Sequence, residues 1–229
     1  LDFITEGFLQ ALKLIIHLDP ETMSAVLVTI KTSSISVVIA LSIGLPLGFM
    51  LGYFDFFMKK PLKLCVDTLL AMPTVVIGLI IYALISYRGP LGEYGLLYTL
   101  PGIIIGQSVL ALPIIISLSA SAIENIDKKL SLTLKSFGLT PLQMISSTIF
   151  ELRYILLASV IVAYSRVISE IGVGMMVGGN IKWHTRTITT AISLETSKGE
   201  FALAIALGIL LVGMALLINI ILYFLKSRA

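Results

Sequence analysis

The sequence predicts an all-α integral membrane protein with about five membrane-spanning helices and a shorter interfacial helix at its N-terminal end. Three observations lead there. Of the 229 residues, 57% are hydrophobic and 13% charged, against about 45–50% and about 25% in ordinary soluble domains. The mean hydropathy of +1.04 is spread along the whole chain, which excludes a soluble enzyme carrying one anchor. Charge-free apolar runs recur at the length needed to cross roughly 30 Å of hydrocarbon, about 20 helical residues at about 1.5 Å each. The length suits one domain, here a single transmembrane domain over 1–229.

The first element is the interfacial helix, within 1–20. Phe8, Leu9, Leu12, Ile15 and Ile16 fall on one helical face, and Asp19 and Pro20 end it. A signal peptide would need a basic leader and a longer apolar core. The spans follow at 24–54, 64–87, 94–123, 153–181 and 200–225. Four contain long stretches free of Asp, Glu, Lys and Arg. The fourth in order carries Arg166 and Glu170, and counts as a span because both of its halves are strongly apolar.

In lipid, helices associate through close packing at small residues spaced four apart. The first span offers Gly44, Gly48 and Gly52, with a kink expected at Pro46; the same spacing recurs at Gly102 and Gly106 and at Gly174 and Gly178. These glycines serve either packing within one subunit or an interface that moves. No internal duplication is visible, which weighs against a carrier built from inverted repeats.

Orientation follows from the basic residues of the connections. Lys59, Lys60, Lys63, Lys128, Lys129, Lys135, Arg153, Lys226 and Arg228 fall on one side, against Lys13, Arg88, Lys182, Arg186 and Lys198 on the other. Nine against five puts the first group, and the C-terminus, in the cytoplasm. Lys31 and Arg166 sit in or near spans and stay outside the count.

The net charge of +3 is too small and too dispersed for a nucleic-acid footprint. The one cysteine, Cys65, forbids an internal disulfide and reads as a buried small hydrophobe. His17 and His184 lack His, Cys or carboxylate neighbours at ligand spacing, so no metal site is expected.

Charges inside a membrane need an explanation. Arg166 and Glu170, four apart, are expected on one helix face, either paired as a structural brace or, with Ser165, presented to a polar pathway that steers an ion. Gly172, Gly174, Gly178, Gly179 and Asn180 then lower helical stability, which predicts a bendable outer gate. The Thr-rich stretch 181–199 contains a short helix that need not cross the bilayer.

The inside connection, 124–152, is far longer than a helix hairpin requires. A helical run over 130–137 stops at Gly138, and Thr140 with Pro141 opens a second helix over 142–150. Two short helices joined at Gly138 predict a surface for docking another protein. The alternative is a loop lying on the membrane.

Gly138-Leu139-Thr140-Pro141 resembles the cytoplasmic loop of ABC importer permeases, whose helix inserts into a groove of the ATPase. Ser165 to Gly172, Gly178 to Ile181, Thr185 to Thr187, Ala191-Ile192 and Lys198-Gly199 are similar to the molybdate, tungstate and sulfate branch of that family. The run from Thr187 to Phe201 is closest to tungstate permeases. The resemblance covers roughly Ser24 to the C-terminus and implies the transmembrane fold of a type I ABC importer.

It further implies an ATPase-coupling loop carrying Lys135, Gly138, Leu139, Thr140, Pro141 and Gln143, and a pathway or gate carrying Ser165, Arg166, Glu170, Gly172, Gly178, Gly179 and Asn180. The implied partners are a second copy in a homodimer, two ABC ATPase subunits and an extracytoplasmic tungstate-binding protein, in a prokaryotic inner membrane. No cofactor is expected on this chain; ATP and Mg would sit on the ATPase. The residues agree independently, because a phosphate-binding loop needs a Gly-Lys pair and the chain has none. Two other classes stay open: a carrier driven by an ion gradient through Arg166 and Glu170, and an integral-membrane enzyme, which would need a cluster of titratable groups near a membrane face.

Overall fold

A computed structural model describes residues 2–125 and 140–227. Within them the chain forms α1 (Asp2–Ile16), α2 (Pro20–Tyr53), α3 (Lys59–Ala71), α4 (Thr74–Ile85), α5 (Leu100–Glu124), α6 (Pro141–Ile168), α7 (Gly172–Gly178), α8 (Ile188–Lys198) and α9 (Phe201–Ser227), with a 3-10 turn at Gly92–Tyr94. No strand occurs among the described residues. By length and composition α2, α5, α6 and α9 can each cross a membrane. The bent pair α3 and α4 together is apolar and long enough to count as a fifth, as a broken span or a re-entrant loop.

α2 starts where Asp19 accepts hydrogen bonds from the Thr22 amide at 2.9 Å and its hydroxyl at 2.7 Å, with Pro20 in the first turn. It continues through Pro46 to Tyr53. α5 is the central helix, with 67% of its apolar window buried against 17% for α9. Gly44, Gly48 and Gly52 let α2 lie against it: a Cβ at Gly48 would stand 2.9 Å from the Ile116 carbonyl oxygen, and one at Gly52 2.6 Å from that of Ala120. That stripe is therefore spent on packing within the chain.

A polar clasp holds the same two helices further along. The Ser36 hydroxyl donates to the Ile104 carbonyl at 3.0 Å, and that of Ser108 to the Ser36 carbonyl at 3.3 Å. Gln107 lies buried beside them. Around this pair Ile77, Ile81 and Ile85 of α4, Ala163 and Val167 of α6, and Val173 and Val177 of α7 close the main core. The outside is apolar as well, with Leu27, Val38, Val212, Leu216 and Leu217 exposed. Such a surface suits lipid rather than water. α1 packs on α9, where a Cβ at Gly7 would meet Ile205 and the Ala202 carbonyl.

Four boundaries differ from the sequence expectation, the first being the span expected from 94, which begins only at Leu100. The stretch 64–87 bends by 101° between α3 and α4. Pro73 lacks an amide proton and forces Met72 into extended backbone, with φ −66 and ψ 131, so the helix stops at Ala71. The stretch 153–181 also breaks, after Ile168, and α7 is a separate short helix. Upstream, the expected short helix over 142–150 does not end at Phe150 but runs on as the first turns of α6.

Candidate functional site

Two breaks in the helical chain meet inside the bundle, one between α3 and α4 and one between α6 and α7. At the first break Pro73 caps α4; at the second, Ser169, Glu170 and Ile171 separate α6 from α7. The Ser169 hydroxyl donates back to the carbonyls of Ser165 at 3.1 Å and Arg166 at 3.0 Å, satisfying two of the acceptors left at the end of α6. Gly172 carries the contact between the breaks: a Cβ there would lie 3.2 Å from the Val75 nitrogen and 3.3 Å from the Thr74 carbonyl carbon. A Cβ at Gly78 would in turn lie 3.2 Å from the Gly172 carbonyl oxygen. Non-helical backbone is tolerated at membrane depth only where protein or a lined cavity covers it, and here each break covers the other.

Glu170 is 3% exposed and sits at this junction. Its Oε1 accepts the Val173 amide at 3.2 Å, closing the first turn of α7, while its backbone carbonyl accepts the Thr189 hydroxyl at 2.8 Å. One residue therefore ties the break to α7 and to α8. The four-residue spacing to Arg166 produces no ion pair. The helix ends between them, so Arg166 stays on the exposed side of α6 while Glu170 turns inward. The expected structural brace between them is corrected on that ground.

Beyond α7 the chain turns sharply. Gly179 (φ +68) and Asn180 (φ +51) adopt left-handed backbone, which costs glycine little and asparagine less than most residues. Thr185 holds the turn, donating to the Gly178 carbonyl and accepting the Ile181 amide at 3.0 Å. Thr187 opens α8 with a capping box closed by Thr190. Thr29 of α2 accepts the Ile188 amide at 2.9 Å, so α2 caps α8 from outside. Gly174 and Gly178 give close contact with Thr190 and Ile103.

This end of the bundle carries an ion network that sequence reasoning did not find. Glu21, in the first turn of α2, pairs with Lys182 and with Arg186, each at 2.6 Å, and Arg186 Nε donates to Asn180 Oδ1 at 3.2 Å. Glu21 is 165 residues from Arg186, and no local spacing announces such a pair. At the opposite end Glu124 receives Lys63 at 2.5 Å and Lys59 at 3.3 Å, joining α3 to the last turn of α5.

Of the residues expected to form a pathway or gate, Glu170, Gly172, Gly178, Gly179 and Asn180 converge on the double break and its turn. Ser165 is half-buried on α6 and Arg166 points away. Of the expected coupling residues, Lys135, Gly138 and Leu139 lie outside the described residues. Thr140, Pro141 and Gln143 form the start of α6: Thr140 Oγ1 accepts the Gln143 amide at 3.4 Å, and the Gln143 side chain accepts the Thr140 amide at 2.9 Å. Among the described residues no three His, Cys, Asp or Glu side chains gather as metal ligands.

Residues 44–229 match the family of binding-protein-dependent transport system inner membrane components. The chain belongs to that family. It is a multi-pass inner-membrane component, and the family's role is that of a permease subunit rather than an ATPase. It is 55% identical over 226 residues to the tungstate uptake system permease protein of Campylobacter jejuni, covering 99% of this chain and 95% of that one. The permease of the same description from Peptoclostridium acidaminophilum is 37% identical over 228 residues and 100% of both chains. The fold matches a chain of the inward-facing MetNI methionine ABC transporter with a TM-score of 0.74, covering 91% of this chain and 96% of that one at 17% identity. The type I ABC importer transmembrane fold of this permease follows from that match.

Proposed function

We propose that this chain is the membrane-spanning subunit of an ATP-driven importer for tungstate. The 55% identity over nearly the whole length to a tungstate uptake permease carries that reading. In the proposed assembly two copies form the pathway at their shared axis, two ABC ATPase subunits holding ATP and Mg lie on the cytoplasmic side, and an extracytoplasmic protein delivers the anion. The basic residues of the connections support an orientation with the C-terminus and 124–152 in the cytoplasm.

ATP binding draws the ATPases together and moves the coupling segment around Gly138. Because α6 is one helix from its cap at Thr140 to Ile168, a push at its first turn reaches the double break about 40 Å away, at about 1.5 Å per residue. There the glycine contacts at Gly172 and Gly78 allow the two breaks to slide, and the pathway alternates between its two openings. The path must hold tungstate weakly enough to release it, which leaves selectivity to the delivering protein.

The test uses the reconstituted complex with its binding protein. Tungstate should stimulate ATP hydrolysis and ATP-dependent uptake more than molybdate or sulfate, whereas equal stimulation by all three would remove the tungstate assignment. Gly138→Trp should abolish uptake while leaving the binding protein's affinity unchanged. Normal uptake by that variant would refute the coupling role.

A further inference from the structure

We infer that a cavity apart from the double break, at the α2–α8 end of the bundle, binds a tetrahedral oxyanion. The cavity, of about 360 Å³, lies among the first turns of α2, the start of α5 and the turn after α7. Its polar side chains are Ser24, Lys31, Trp183 and His184, and apolar Met23, Leu27 and Leu100 complete the walls. No carboxylate lines it. An ammonium, an indole N–H, an imidazole N–H and a hydroxyl can all donate, whereas an oxyanion only accepts.

These donors, of which Lys31, Trp183 and His184 are exposed and Ser24 is half-buried, are not engaged as donors by other side chains among the described residues. Lys182 and Arg186 share the one carboxylate of Glu21, and Lys198 pairs with Glu195. Lys31 has no ion-pair partner among the described residues, and no side-chain hydrogen bond engages Ser24, Trp183 or His184 there. The neighbouring cavity of about 310 Å³, by contrast, mixes Asp19, Glu21 and Glu195 with its cations and has no charge to spare.

The turn is held in a form that places Trp183 at the cavity. Trp183 itself has φ +65, a left-handed conformation that a bulky residue adopts only when its surroundings impose it. The amides of His184, Thr185 and Arg186 all point at the Ile181 carbonyl, at 3.1, 2.9 and 3.0 Å, and fix that shape. The depth is suitable too. The charge-free run after Lys31, 32–54, is about 35 Å long as a helix, so the exposed Lys31 stands just before a stretch of membrane length, where a headgroup or an anion in water reaches it.

The oxyanion has two sources, the transported dianion on its way to the pathway or the phosphate of a phospholipid headgroup. The first rests on the importer reading and the second does not. Trp183 is the only tryptophan of the chain and reports on the site directly. The purified full chain in phosphatidylcholine vesicles is titrated with sodium tungstate against sodium chloride of equal ionic strength, following Trp183 emission. A saturable response, weakened about tenfold or more in Lys31→Gln and retained in Lys31→Arg, identifies the free dianion as ligand. A response only when phosphatidylglycerol is added, equally sensitive to Lys31→Gln, identifies the headgroup. Ser24→Ala and His184→Gln leave the charge on α2 intact and should each weaken whichever response occurs. Silence in both arms, or wild-type behaviour of Lys31→Gln together with these two variants, overturns the proposal. The measurement needs neither ATPase nor uptake, so its failure is separate from failure of the importer reading.

Discussion

Glu170 is a buried side chain at the end of a membrane helix, and its environment states its local role. Oε1 satisfies an amide of α7 that has no helical acceptor, and the backbone carbonyl holds Thr189. Glu170→Ala removes the cap and leaves the Val173 amide unpaired in a dry site, at a cost of about 2 kcal/mol. Glu170→Gln keeps a side-chain oxygen in place and should stay within about 1 kcal/mol of the parent. Unfolding of the solubilised chain in mixed detergents measures both, and equal midpoints for the two variants would end the capping assignment. Thr140→Ala tests the cap at the far end of α6, with an expected loss of about 1 kcal/mol in the same measurement. The sequence marked Thr140 through its neighbour Pro141, whereas the capping role of Gln143 came from the structure. It also singled out Glu170 as an intramembrane charge, and of the two roles it left open the pairing with Arg166 is removed by the helix end at Ile168.

At the scale of elements, the glycines separate into those that are needed and those that are not. A Cβ at Gly48 or Gly52 collides with α5, whereas Gly208 and Gly213 of α9 have nothing within 4 Å. Gly48→Ala and Gly52→Ala should each destabilise the chain by about 1–3 kcal/mol through overpacking. Gly208→Ala and Gly213→Ala should be neutral or stabilising by up to about 1 kcal/mol, since alanine favours the helix. Unfolding midpoints of the solubilised chain give the order, and similar losses in both groups would contradict the packing described. Four-residue spacing was legible in the sequence; which helix each stripe faces was not, because spacing describes one helix and contact requires two. The break at Pro73 is a different case. Its signal was present in the chain, yet hydropathy over 64–87 is indifferent to backbone geometry.

For the whole molecule, the ion network of Glu21 with Lys182 and Arg186 ties the first turn of α2 to the turn that follows α7. These pairs are partly exposed, so Glu21→Gln should cost less than about 1 kcal/mol of stability, with a difference that shrinks as salt is raised. A loss well above that, independent of salt, would show that Glu21 acts through packing rather than charge. Composition and charge-free runs by themselves determined that the chain lives in a membrane as helices, since in lipid only helices and closed barrels satisfy their own backbone, and unbroken apolar runs of about 20 residues are the length of a helix rather than of a barrel strand. Motif likeness in the residues around Gly138 and from Ser165 to Phe201 reached the permease family. Only the tertiary structure decided that two of the expected spans break, that the breaks rest on one another through Gly172, and that Arg166 and Glu170 part company. Those outcomes depend on groups far apart along the chain, and a pattern read along one helix records its period but not its neighbours.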